Sequence, residues 1–128
     1  MKYLLDSHAL LWWESDASQL SSVAYGLLSD RQNTILLSVA SIWEMQIKLQ
    51  TGKLKLTLSL ETLVENQVTE NQMVLLPVLL SHVFELGELP MHHRDPFDRL
   101  LIAQARVEHA ILISRDPQIA QYDVKVVW

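Results

Sequence analysis

The 128-residue chain contains no cysteine. That absence excludes thiolate catalysis, cysteine-ligated zinc and disulfide bonds, and it fits a reducing compartment. A basic surplus is also missing: 10 lysines and arginines face 15 aspartates and glutamates, for a formal net charge of -5. This balance argues against simple electrostatic wrapping of nucleic acid, because phosphate binding draws on an excess of cations. Long apolar runs are absent as well. The first residues, M-K-Y-L-L-D-S-H, place Asp6 and His8 where a secretory leader needs an unbroken apolar stretch, and no later segment is suited to span a bilayer. The expectation is a cytoplasmic protein without membrane contact. No linker, low-complexity segment or fixed-period repeat interrupts the chain, so residues 1–128 read as one domain, able to bury a core without metal or disulfide staples.

What is present is a regular alternation of strand-like and helix-like segments. Short apolar runs at Lys2 to Leu5, Thr34 to Leu37, Met73 to Leu76, Ile111 to Ile113 and Val124 to Val127 read as strands. Between them, helical periodicity runs over Ser7 to Trp13, Ala17 to Leu28 with Ser18 as its cap, Ser38 to Gln50 closed by Gly52, Leu60 to about Glu70, and Val78 to Leu86. Lys53 to Leu58 alternates leucines with Lys53, Lys55 and Thr57, which suits an extended edge or binding segment. The most informative stretch is R-D-P-F-D-R-L-L-I-A-Q-A, Arg94 to Ala105. Asp95 caps a helix with Pro96 at its first position, and Asp98 falls on the stripe of Leu101, Ile102 and Ala105. Ser114, Arg115, Asp116 and Pro117 repeat the device ahead of a helix running to about Tyr122. Alternating strands and helices define an α/β fold, three layers α/β/α around a central, mostly parallel sheet.

In such a sheet the carboxyl ends of the strands, and the helix starts that follow them, share one edge. Asp6, Glu44, Asp98 and Asp116 all map to that edge. Each also has a local reading: Asp6 and Asp116 as helix caps, Glu44 as the third residue of a capping box with Ser41, and Asp98 as a complement to a positive helix end. Their convergence from distant parts of the chain favours a site. Four gathered carboxylates raise one another's pKa unless a cation sits among them, and an all-oxygen donor set suits magnesium or manganese rather than zinc or copper. That combination supports metal-assisted phosphodiester hydrolysis by an activated water, with no protein nucleophile.

The ordered set L-L-D-S-H (Leu4 to His8), S-I-W-E-M (Ser41 to Met45), R-D-P-F-D-R-L-L-I-A-Q-A and I-L-I-S-R-D (Ile111 to Asp116) resembles the PIN-domain ribonucleases, and more narrowly the VapC-type toxins of toxin–antitoxin pairs. The resemblance covers essentially the whole chain. It implies a compact α/β/α domain and a magnesium- or manganese-dependent endoribonuclease. Asp6, Glu44, Asp98 and Asp116 match the family's four acids, and Ser114 matches a supporting hydroxyl. It also implies a homodimer and inhibition by a small antitoxin that inserts a segment into the cleft.

Around these positions several roles stay open. Asp95 is a cap or a fifth acid of the metal shell; His8, His92 and His93, beside the motif acids, orient phosphate or serve as scaffold. Trp12 and Trp13 are core or base-stacking residues. Lys48, Lys53, Lys55, Arg94, Arg99 and Arg115 are phosphate-contact candidates, with His8, Arg94, Arg99 and Arg115 closest to the motifs. Two other functions compete with the RNA-cleaving toxin: a catalytically weak module that mainly binds an antitoxin or RNA, and a phosphatase that forms an aspartyl-phosphate. The last fits poorly, because His8 stands where such enzymes carry a second aspartate.

Overall fold

Alternate residues of each strand leave the sheet on opposite faces, and the apolar runs are long enough to supply both. Tyr3, Leu5, Ile35, Leu37 and Ile113 enter one core with Ala9, Leu10, Ala24, Met45 and Leu63. Leu4, Leu36 and Leu112 enter the other with Leu101, Ile102, Ala105 and Ile119. The computed structural model describes residues 1–128. Its strands are β1 (Lys2–Leu5), β2 (Thr34–Ser38), β3 (Val74–Leu76), β4 (Ile111–Ile113) and β5 (Val126–Val127). They form one sheet in the order β3-β2-β1-β4-β5, with every pairing parallel. Six helices cover it: α1 (Ser7–Ser15), α2 (Ser22–Ser29), α3 (Val39–Gln50), α4 (Leu60–Thr69), α5 (Leu80–Leu86) and α6 (Pro96–Glu108). The α/β class and the three layers are therefore as the sequence implies.

Two helices differ from expectation. Ala17 to Leu28 is not continuous: Ser18 Oγ and Gln19 Nε2 donate to the Asp16 carboxylate, at 2.5 and 3.4 Å, and pin a 3-10 turn over Ala17–Gln19. Leu20 is then extended, and Ser21 rather than Ser18 caps α2 by accepting from the Ala24 amide. The helix expected after Pro117 is only a 3-10 turn, Ile119–Gln121, because the chain must extend again at Tyr122 to reach β5. Ser38, not Ser41, caps α3, so the S-I-W-E stretch forms no capping box; Ser41 Oγ is buried without a hydrogen-bond partner.

Beneath α5 lies a buried polar chain. Ser38 Oγ donates to Gln104 Oε1 at 2.6 Å, and Gln104 Nε2 reaches the Pro77 carbonyl and His82 Nδ1, each at 3.3 Å. His82, fully buried, accepts the Leu79 amide at Nδ1 and meets Glu108 Oε2 through Nε2 at 2.8 Å. This chain fastens the end of β2, the start of α5 and the last turns of α6 in one place.

Candidate metal centre

The acids reach the carboxyl edge through local chemistry. Asp6 ends β1 and caps α1, accepting from the Ala9 amide at 2.8 Å; the cap holds its carboxylate at the strand terminus. Burial pushes the Asp6 carboxyl up, while the Ser114 hydroxyl and the Ala9 amide pull it back. Ser114, buried at the end of β4, also accepts the Asp116 amide at 3.1 Å. One hydroxyl thus ties the first acid to the loop that carries the last.

Glu44 lies in α3, and its partner is on α1: Ser7 Oγ donates to Glu44 Oε1 at 2.6 Å. Lys48, one turn on, stands 3.5 Å from Glu44 Oε2. At the start of α6, Asp95 takes the cap role, accepting from the Phe97 and Asp98 amides at 2.9 and 3.4 Å. Asp98 is left free to face the other acids. Its carboxyl is pushed up to about 7, chiefly by burial, then by the charge of Asp95; Glu44 and Asp116 raise it further and His93 opposes them. Those causes place Asp98 within electrostatic reach of three other carboxylates.

His93 joins this group. Its Nε2 lies 3.0 Å from Asp98 Oδ2 and 3.2 Å from Asp116 Oδ2. Donor atoms of His93, Asp98 and Asp116 fall within 4.8 Å of one another, a spacing compatible with a shared ion. The hydrogen bonds argue for a different role. Asp95 N–H donates to His93 Nδ1 at 3.1 Å, so the ring proton belongs on Nε2, which hydrogen-bonds Asp116 Oδ2 and lies against Asp98 Oδ2. To ligate through Nε2, the ring would have to change tautomer and give up the Asp95 bond. The ligands that fit a hard divalent ion are therefore the carboxylates, with His93 as a donor to Asp116 whose ring also lies against Asp98.

The remaining candidates are spread around the cluster. His8 is exposed and its ring lies 5.7 Å from that of Trp12, over which the Arg115 guanidinium sits at 4.3 Å. Arg99 is engaged in scaffolding: it donates to the Pro90 carbonyl, the Leu86 carbonyl and the Tyr122 hydroxyl. Tyr122 also accepts the His92 and His93 amides, so Arg99 and Tyr122 together hold the loop that presents His93. His92 itself is exposed and packs edge-on against Tyr122. Arg94 is exposed, near Lys48 and Lys53. Sequence reading did not single out Ser7, and it did not separate His93 from His92.

A parallel α/β sheet with carboxylates from two strand ends, Asp6 and Asp116, from within α3, Glu44, and from the start of α6, Asp98, defines a class of acidic-edge domains. Within it, the chain belongs to the PIN domain family, whose sequence profile matches residues 3–125. Comparison with curated protein sequences returns no match. Similar solved structures include VapBC2 from Rickettsia felis bound to a DNA fragment from its promoter, with 17% identity, a TM-score of 0.74 and coverage of 99% of this chain and 98% of that one. FitAcB from Neisseria gonorrhoeae is similar at 15% identity and a TM-score of 0.68, over 98% of this chain and 96% of the other. VapBC-1 from nontypeable Haemophilus influenzae follows at 16% identity and a TM-score of 0.60, covering 99% and 97% of the two chains. At these identities the likeness is one of fold. No helix of the chain is long and apolar enough to cross a membrane.

Proposed function

We propose that the chain is a magnesium- or manganese-dependent endoribonuclease, the cytoplasmic toxin of a toxin–antitoxin pair. What supports this reading most is that Asp98 lies within electrostatic reach of Glu44 and Asp116, and Asp6 within reach of Asp116, with burial and mutual repulsion already raising Asp98 to about 7. Such a site holds more negative charge than it can keep without a cation. Asp6, Asp98 and Asp116, with Glu44 behind them, are the residues that would hold the ion. When bound, it lowers the pKa of an attacking water and stabilises charge on the leaving oxygen. The protein's share is positioning. Ser114 fixes Asp6 relative to Asp116, Ser7 fixes Glu44 relative to α1, and Asp95 sets the start of α6 so that Asp98 faces inward.

Two surfaces support the partners of this reading. An apolar groove of about 670 Å³ between α3 and α4, lined by Val39, Ile42, Trp43 and Val64, offers a seat for an antitoxin segment. Leu75, Leu80, Val83 and Phe84, exposed on β3 and α5, offer a face for a homodimer.

A second reading, a catalytically weak module that binds antitoxin or RNA, is favoured by one observation. His93 Nε2, hydrogen-bonded to Asp116, lies against Asp98 and has to move aside before an ion can sit between them. Cleavage of a mixed single-stranded RNA pool in magnesium, manganese or chelator separates the two. The nuclease reading predicts cleavage that chelator abolishes and that Asp98→Asn lowers by about 100-fold or more. A folded, metal-binding protein that leaves the pool intact would instead support the binding module.

A further inference from the structure

The acidic edge has a cationic neighbour that the metal chemistry does not use. Between the last turn of α3 and the start of α6 runs a groove of about 440 Å³, whose lining includes Glu44, Lys48, Lys53, Arg94 and Phe97. The backbone builds it. Thr51 closes α3, Gly52 turns the chain at φ 74°, and the amides of Lys53 and Leu54 come back onto the Lys48 carbonyl at 2.9 and 3.1 Å. Lys53 is therefore folded over Lys48 rather than carried away along the helix axis. A left-handed residue at this turn costs a side chain strain that glycine avoids.

The cations in this groove are distinctive because most others are engaged. Arg31 donates to the Glu70 carbonyl, Arg99 to loop carbonyls, Arg106 pairs with Glu85, and Arg115 covers Trp12. Arg94 alone among the arginines has neither hydrogen bond, ion pair nor aromatic ring. Lys53 likewise has no carboxylate within 4.0 Å, and Lys48 leans on Glu44 at the groove's inner end. Lys2, Lys55 and Lys125 are unpaired as well, but in a chain of net charge -5 Lys53 and Arg94 are the unpaired cations that share a groove with one of the edge carboxylates, Glu44. Phe97 lines the groove, and Trp43, 59% exposed on the neighbouring α3/α4 face, meets it edge-to-face at 5.2 Å, so an aromatic ring stands at the groove's border.

We propose that this groove holds the backbone of single-stranded RNA immediately beside the bond to be cut, with Lys53 and Arg94 contacting phosphates and Trp43 stacking a base. Unpaired bases expose faces to stack on, whereas paired bases do not, so the rim selects single strands. Lys48 bridges the two regions, close enough to Glu44 to keep the incoming phosphate from meeting bare carboxylates. The proposal rests on the nuclease reading for its substrate, and its test is separable from that reading.

The test measures binding of a fluorescent single-stranded RNA and of an RNA hairpin to the full chain in chelator, across salt concentrations, beside metal-dependent cleavage. Removing two phosphate contacts with Lys53→Ala/Arg94→Ala lowers the slope of log affinity against log salt by about 1.4. The same variant raises KM in cleavage about 10-fold with kcat nearly unchanged, while Lys53→Arg retains wild-type behaviour. Trp43→Ala weakens the single strand about 10-fold and leaves the hairpin nearly unaffected. All the substituted side chains are solvent-exposed, and melting curves check that the variants stay folded. An unchanged salt slope with cleavage intact in the wild type overturns the groove and leaves the nuclease standing. A lowered slope in a protein that never cleaves keeps the groove and overturns the nuclease.

Discussion

At pH 8 and without divalent ions, Asp98→Asn melts above the wild-type protein. The folded carboxyl of Asp98 is raised from the ordinary 3.8 to about 7, so between those values the folded state holds a proton that the unfolded chain has released. Stability from this group is fully present below about pH 4 and is lost as pH rises through about 7. Above that, wild-type Asp98 is a half-buried charge facing Asp95, Glu44 and Asp116, at a cost on the order of 2 to 4 kcal/mol once solvent screening is allowed for. Asparagine keeps a polar group beside His93 Nε2 without the charge, and Asp116 remains the hydrogen-bond partner of that ring. The expected gain is roughly 5–10 °C at pH 8, shrinking towards zero near pH 4. Some pH dependence remains in the variant, because burial raises Asp6 in the same direction.

Magnesium offsets most of this difference at pH 8. An ion that binds only the folded wild type adds about 2.7 kcal/mol at one hundred times its dissociation constant, and Asp98→Asn forgoes most of that. If Asp98 served mainly to complement the positive end of α6, asparagine would instead lower stability by up to about 1 kcal/mol, with little effect of magnesium. Melting curves at pH 5 and pH 8, with magnesium and with chelator, decide between the two.

His82→Ala is expected to be the most destabilising single change, about 3 kcal/mol or more. The imidazole is fully buried and satisfies the Leu79 amide, while Glu108 and Gln104 bond to it. Truncation leaves a cavity and takes the ring acceptor from the Leu79 amide and the ring partner from Glu108, while Gln104 keeps Ser38 and Pro77, and the two costs act together. Urea unfolding followed by circular dichroism measures the loss. A cost below about 1 kcal/mol would mean that water or local collapse replaces the ring, and that the chain from Ser38 to Glu108 is not a fastening.

The sheet and its edge are legible in the sequence because buried parallel strands are apolar on both faces. Leu4 and Leu5, or Leu36 and Leu37, need no alternation to be recognised. The acids are legible for a related reason: Asp6 and Asp116 follow those runs at cap and turn positions, and the Asp95–Pro96 pair marks the start of α6 to the residue. What the sequence hides is whatever depends on contacts between distant segments. Ser7 reads as the first residue of a helix, yet it donates to a carboxylate 37 positions away. Gln104, inside a run that looks uniformly apolar, anchors the polar chain beneath α5. His92 and His93 are equivalent in a segment without periodicity, and the Tyr122 hydroxyl and Asp95 amide settle which ring turns inward. The break between Ala17 and Leu28 was hidden because Leu20 suits the helical stripe that Asp16 interrupts by bonding Ser18 and Gln19.

The central claim is that the carboxylates of this edge form one divalent-ion site, and the direct test is anomalous diffraction from crystals soaked in manganese, for the wild type and for Asp98→Asn. The account predicts an anomalous peak in contact with Asp98 and at least one of Asp6 and Asp116, with the His93 ring displaced from between Asp98 and Asp116. It also predicts that the peak is lost or greatly weakened in Asp98→Asn. No peak at this edge at saturating manganese, or a peak that persists undiminished in Asp98→Asn, would contradict it.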